Sequence, residues 1–389
     1  NNDSALQIEQ FRLMPADKSK ADTSKALLYV YAPRFEIEDL SPHAFFHKSR
    51  LQTGKIKIPK LFTDIELPDR KRATGGADVK VFRLPKIIKT LGVQALDIDE
   101  GRLAFRHRNS DSLAGQTRFA LHVNDISDDP KNYSFPLKYS KARLHLGDLF
   151  YRMPDGLNIL KSDSIYFSMD SNYLYAGPLF FGPDSVAKAK ELAKDRPEHN
   201  NLTSINTREL KIRGIDILTL VFDRYVNLSS LEVIDPAAEI IRLKKPDKKT
   251  DFGSVRFEKR LQKNLRDAFS RFRISDLQVR NASVNFSDHT EKQADSLVLE
   301  RLNAQILGFA AQRDPDDQAL FLADDIRFSL RHFSHDLPEG FYRLSFDEAA
   351  FSLKDSSLHL RNMALLPLTG KYEFGRKMGY QKSRLDLRQ

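Results

Sequence analysis

The residues of this chain that could do chemistry are few and poorly placed for it. His43 and His47 stand four apart, the spacing that sets two imidazoles on one helix face. A zinc protease helix also needs a general-base Glu beside the first His, and here Ala44, Phe45 and Phe46 intervene. His332 and His335 form a second pair with no carboxylate set nearby. Thr74-Gly75-Gly76 is not followed by the Gly-Lys-Ser/Thr of a phosphate loop, and neither GxGxxG nor GxSxG occurs. The chain has no cysteine, which excludes disulfides, thiolate nucleophiles and Cys-based metal sites. No repeated carboxylate pair suits acid–base catalysis. Asn132, Asn201, Asn227, Asn281 and Asn285 open N-x-Ser/Thr triplets, which matter only in a eukaryotic secretory context. The sequence therefore predicts no enzyme, no metal and no cofactor.

Composition bounds the alternatives. Of 389 residues, 41% are apolar and 30% charged, the balance of a folded protein. No run approaches the roughly 18 apolar residues of a membrane helix. The opening residues, with Asp3 and Glu9, lack the apolar block of a signal peptide. A net charge of +9 favours an anionic partner such as a membrane surface. Nucleic-acid recognition is not predicted, for want of motifs and of aromatics interleaved with the basic residues.

The informative pattern is apolar alternation that repeats. Ile326 to Pro367 alternates apolar and polar residues in short runs, each reading as a strand with one apolar face. Lys354 to Ser357 reads as a hairpin turn, as do residues 336 to 340. Moved back by 184 residues, the stretch falls without a gap on Ala142 to Leu174. Arg143 then meets Arg327, Pro154 meets Pro338, Gly156 meets Gly340, Phe167 meets Phe351 and Leu174 meets Leu358. Residues 35 to 67 fall on 210 to 242 at a shift of 175, mostly by apolar class. Residues 92 to 107 fall on 273 to 288 at 181, and residues 5 to 15 match the end of the stretch at 352.

These shifts predict a tandem unit of about 176 residues. Residues 1–27 would be the tail of a preceding repeat, 28–204 and 205–370 two repeats, and 371–389 the start of a third. Lys382 to Arg388 resembles residues 33 to 39 and 208 to 214. The pattern starts and stops partway through a unit, so an internal fragment is expected. Within each unit the order reads strand, short helix near 42 to 48, two strands, then a hairpin turning at Asp99-Glu100-Gly101 or Arg280-Asn281-Ala282, and further meandering strands. The step of three from Val93 to Leu96 predicts a bulge. Leu84 to Leu91 reads as a helical turn, Asp184 to Arg196 as a polar surface helix without a second copy, and Phe257 to Phe272 as a basic amphipathic helix whose apolar face covers the strands.

The phrases LKIRGIDILTLVFDRYVNLSSLEVIDPAAEII, FRISDLQVRNASVNF and DSSLHLRNMALLP resemble the AsmA-like and TamB-like envelope proteins of Gram-negative bacteria. The resemblance spans most of the chain outside its loops and the 184–196 helix. It implies a mainly β fold of tandem antiparallel sheet repeats, forming an elongated β-taco-like groove with a few short helices. It further implies a periplasmic protein, anchored to the inner membrane through a missing N-terminal segment, that carries phospholipid or other lipid between inner and outer membranes. Lipid acyl chains, the two membranes and other envelope proteins would be the partners. The groove lining would include Phe35, Ile37, Ile56, Ile58, Leu96, Ile98, Leu103, Phe105, Leu210, Ile212, Leu231, Val233, Leu277, Val279, Val284, Phe286, Phe351, Leu353, Leu358 and Leu360. A closed sandwich core has the same alternation, so a non-catalytic structural or adhesive repeat scaffold is the alternative.

Overall fold

The computed structural model describes residues 5–15, 26–67, 90–107, 113–128, 137–244, 265, 269–290, 295–310, 323–337 and 341–368. These residues form a single mixed, mostly antiparallel sheet of 20 strands that does not close into a barrel. The first part of the chain contributes β1 (Leu6–Leu13), β2 (Leu27–Glu38), β3 (Arg50–Leu67), β4 (Thr90–His107), β5 (Leu113–Asp128), β6 (Leu137–Lys138), β7 (Lys141–Arg152), β8 (Asn158–Ser168), β9 (Tyr173–Ala176) and β10 (Leu179–Pro183). The second contributes β11 (Asn201–Thr207), β12 (Glu209–Arg213), β13 (Tyr225–Ile234), β14 (Ala237–Arg242), β15 (Arg271–Asp288), β16 (Asp295–Ala310), β17 (Asp325–Asp336), β18 (Tyr342–Ser352), β19 (Ser357–Arg361) and β20 (Ala364–Pro367). Helix α1 (Pro42–Lys48) follows β2, α2 (Ser185–Leu192) follows β10, and a π-helical turn spans Thr219–Asp223. No described helix is long and apolar enough to cross a membrane.

Strand boundaries recur at the offsets seen in the sequence. β4 and β15 coincide end for end at 181, as do β7 with β17 and β8 with β18 at 184. β3 starts and ends where β13 starts and β14 ends, at 175, and α1 matches the π-helical turn. Hydrogen bonding does not stop between the copies: β9 pairs with β12 and β10 with β11. The sheet is not purely antiparallel, however. β3 runs parallel to β4, and β13 and β14 run parallel to β15.

The predicted hairpin turns at Asp99-Glu100-Gly101 and Arg280-Asn281-Ala282 do not form. β4 and β15 run straight through as 18-residue strands, with register shifts between Ile98 and Gly101 and between Val279 and Ala282. Turn and bulge residues share a tolerance for left-handed backbone, so the two look alike in sequence. β3 likewise runs unbroken where two strands were expected, although its second copy is split into β13 and β14. Arg271 and Phe272, expected to end a helix, begin β15; most of 257 to 268 lies outside the described residues, as do most of 84 to 91 and all of 382 to 388.

These irregularities line up across the sheet as one crease. Asp148, Asp235, Asn281, Arg301, His332 and Asn362 all adopt positive φ there. The left-handed positions recur with the unit: Asp148 with His332, Asn172 with Ser356, Ser49 with Arg224, and Gln10 with Asn362. Prolines complete the line, with Pro178 between β9 and β10 and Pro236 between β13 and β14, where a missing N–H breaks the ladder.

Buried hydroxyls donate to carbonyls beside these breaks, and the Ile234 carbonyl also accepts from the Arg208 N–H at 3.1 Å. Thr117 Oγ1 donates to the Gly147 carbonyl at 3.0 Å and Thr207 Oγ1 to the Ile234 carbonyl at 2.9 Å. Each carbonyl directly precedes a left-handed aspartate on the crease, Asp148 or Asp235. Thr53 does the same at the end of β2, donating to Glu38 before left-handed Asp39 at 2.6 Å.

The junction between copies is held by a charge that the sequence reading placed on a surface helix. Glu191 of α2 is buried and accepts from Lys194 Nζ at 2.7 Å and from the His199 backbone N–H at 2.9 Å. The Lys194 bond, then the His199 N–H, outweigh the cost of burial and lower its pKa from 4.5 to about 2. A depressed carboxylate stabilises the fold above its unfolded pKa and loses that contribution as pH falls. Stability at the α2–β11 junction should therefore decline from about pH 4.5 downward, and Glu191→Gln should flatten this limb of an acid-denaturation profile. Thr207→Val, which keeps the volume and removes the donor, should cost about 0.5–1.5 kcal/mol in urea unfolding, since the Ile234 carbonyl keeps the Arg208 N–H, while Thr207→Ser should retain most of the stability.

Candidate functional site: a continuous apolar face

Because side chains of directly paired residues share a face, the pairings define rows across the sheet. One row runs Ile58, Ile98, Leu121, Leu144, Phe167, Leu174, Ile212, Leu231, Leu277, Ile306, Ile326. It crosses eleven strands without one polar residue, and it passes from the first copy to the second at Leu174–Ile212. Beside it, Phe119, Leu146, Ile165, Ala176, Leu210, Val233, Val279, Ala304, Phe328, Phe351 and Leu358 make a second unbroken row. Gly101 extends it, with the Phe119 ring lying where a Cβ would stand. Beyond the crease a third row runs Ile65, Phe105, Gly115, Tyr151, Leu160, Phe181, Ile205, Ala238, Val284, Leu299.

The opposite face is polar along the same strands. Lys57, Asp97, His122, Arg143, Ser168, Tyr173, Arg213, Ser230 and Asp276 form one of its rows. Lys55 Nζ lies 2.7 Å from Asp97 Oδ2, and His122 Nδ1 bonds the other oxygen. Burial raises the Asp97 pKa, but the bonds from Lys55 and His122 outweigh it and hold the carboxyl below the usual range. Such exposed cross-strand pairs fix register more than they add stability.

The pairings place the predicted lining on one face. Ile37, Ile56 and Leu96 stand in register, with Phe35 two residues from Ile37. Ile58, Ile98, Ile212, Leu231 and Leu277 lie in the first row, and Leu210, Val233, Val279, Phe351 and Leu358 in the second. Leu103 and Phe105, like Val284 and Phe286, continue on that face because the bulge adds a residue opposite a two-residue step. Leu360 pairs with Ala349, and Leu353 sits in the turn after β18 with its N–H on the Ile326 carbonyl. Sequence reasoning missed Leu121, Leu144, Leu174, Ile306 and Ile326, although their alternation within β5, β7, β9, β16 and β17 carried the signal.

Among the described residues this face is covered only in places. In the first row, Ile58, Ile98 and Phe167 are buried, and the other eight residues are half-buried. Ile215, Ile217 and Leu220, from the loop that ends in the π-helical turn, pack with Phe269 and Phe272 over Ile212, Leu231, Ile274 and Leu277. The turn is fixed by Asp216, which accepts from the Leu218 N–H at 2.9 Å. Leu202 and Ile274 are the largest fully buried side chains among the described residues.

Elsewhere the groups able to do chemistry stay apart. The His43 and His47 rings are 4.8 Å apart on exposed positions of α1, and among the described residues no three His, Cys, Asp or Glu gather as metal ligands. Scans against protein-family models, curated proteins and solved structures find no match to this chain.

If the face is open, truncation should cost little away from the covered patch. Ile274→Ala should cost about 2–5 kcal/mol in urea unfolding. Ile306→Ala, on the uncovered part, should cost less than half as much; equal losses would mean a sealed core.

Proposed function

We propose that the sheet bends along its crease into an elongated groove of tandem units, β-taco-like, that holds lipid acyl chains and passes them along its length. In this reading the protein works in the periplasm of a Gram-negative envelope and carries phospholipid or another lipid between inner and outer membranes. The observation that supports it is the first apolar row, which crosses eleven strands and the junction between copies while eight of its side chains are only half-buried. A row of eleven strands spaced about 4.8 Å apart extends for roughly 48 Å, longer than one acyl chain. Burying each CH₂ contributes about 0.8 kcal/mol, so a 16-carbon tail would cost roughly 13 kcal/mol to expose. An uninterrupted apolar path keeps that cost low at every step, whereas one polar residue in the row would raise a barrier. Bulges bend strands, and a line of them lets the rows on either side of the crease turn toward a common space. A self-buried scaffold would leave these side chains fully enclosed, and their incomplete burial favours the groove.

Purified protein carrying a photo-crosslinking residue at Ile98 or Val279 should give lipid adducts by mass spectrometry, and at His122 or Gln278, on the polar face, should give none. Adducts to protein alone at the inward positions, or equal lipid labelling on both faces, would rule the groove out.

A further inference from the structure

The first apolar row is occupied where it crosses from one copy to the next. Its consecutive residues Leu144, Phe167, Leu174, Ile212, Leu231 and Leu277 share one cluster with Ile215, Ile217 and Leu220, which belong to the segment between β12 and β13. Six strands spaced about 4.8 Å apart extend for roughly 24 Å, about the length of an acyl tail. Among the described residues, the second row lies outside this cluster. A lipid following the first row through the Leu174–Ile212 junction therefore meets the protein's own side chains on the surface it needs.

Several features let that segment leave without dismantling the sheet. Residues 214–224 belong to no strand. Both ends are left-handed, Gly214 at φ 77° and Arg224 at φ 53°. Only glycine suits the first end, because a Cβ there would stand 2.8 Å from the Ser229 nitrogen. The Asp216 carboxylate accepts from the Leu218 and Thr219 N–H groups, so these bonds travel with the segment. The Gly214 and Ile215 N–H groups donate to the Asn172 carbonyl at 2.8 and 3.2 Å and latch its start. Between the ends lies a π-helical turn, a form rare in proteins and frequent at functional sites. Ile215, Ile217 and Leu220 together carry about twelve side-chain carbons, close to the roughly 16 of an acyl tail, so exchanging one for the other nearly conserves buried apolar area. The first copy carries a counterpart: α1 precedes left-handed Ser49 as the turn precedes Arg224, and its Ala44 is buried.

We infer that residues 214–224 are a gate at the junction, with Ile215, Ile217 and Leu220 holding the acyl surface until a lipid tail displaces them. The inference rests on the proposed groove and adds what controls passage along it. The chain has no cysteine, so Ile215→Cys places a single thiol in the buried cover and Ile306→Cys places one on the same row outside the cluster. Each full-length variant is labelled with a water-soluble maleimide, with and without palmitoyl lysophosphatidylcholine below its micellar concentration. Lipid should slow labelling at Ile306→Cys and speed it by about threefold or more at Ile215→Cys. Leu220→Ala, which loosens the cover, should tighten lysolipid binding by roughly threefold or more because the open fraction rises; unchanged or weaker binding would count against a gate. Circular dichroism spectra unchanged by substitution and by lipid establish that labelling does not come from unfolding. Protection at Ile306→Cys with no acceleration at Ile215→Cys would overturn the gate and leave the groove standing. No effect of lipid at Ile306→Cys would overturn the groove and the gate together.

Discussion

Register is the constraint on which the rest depends. A strand has a side-chain period of two, so one extra residue in one strand would send all its later apolar side chains to the polar face. Here the strands take their interruption at one level, as a bulge, a left-handed residue or a proline break, and the rows on both sides stay in phase. The Ile98-to-Gly101 step in β4 opposes a two-residue step in β5, and the Val279-to-Ala282 step in β15 opposes one in β16. The threonine hydroxyls of Thr117 and Thr207 are part of the same device, since each donates to a carbonyl beside a left-handed residue of the crease.

Much of this organisation was legible in the residues. Apolar spacing within Leu96, Ile98, Leu277 and Val279 fixed the face, and the offsets of 175, 181 and 184 anticipated matching strand boundaries. The crease was not legible. Most of its left-handed positions carry residues that tolerate positive φ, Asp148, Asp235, Asn281, His332 and Asn362, but these types serve turns and surfaces equally, and Arg301 gives no signal at all. Where punctuation existed, as at Asp99-Glu100-Gly101, it suggested a turn, because only the neighbouring strand β3 decides that the chain continues. The parallel pairing of β3 with β4 was hidden for a similar reason: alternation is the same whichever way the neighbouring strand runs. Glu191 looked like one more solvated charge on a polar helix; its role depends on the chain returning at Glu198 and His199 to bond it.

A sheet with one apolar face and no covering layer is costly in water unless something occupies that face. The loop carrying Ile215, Ile217 and Leu220 covers one patch, Ile58 and Ile98 are buried with Ala32 in a second, and among the described residues the rest of the row is half-buried through both copies. That continuity links register, through the crease, to the proposed carriage of acyl chains. The polar face, with ion pairs such as Lys55–Asp97, keeps the two sides of the sheet chemically distinct.

The most direct measurement is a single-cysteine scan in a chain that has none of its own. An environment-sensitive fluorophore at Leu121, Leu144, Leu174, Leu231 or Ile306, and at the outward neighbours His122, Arg143, Tyr173, Ser230 and Gln305, would be exposed to lipid with brominated acyl chains. The account predicts quenching at every inward position, including both sides of the Leu174–Ile212 junction, and none at the outward ones. Quenching that stops at the junction, or falls equally on the two faces, would contradict a continuous apolar path.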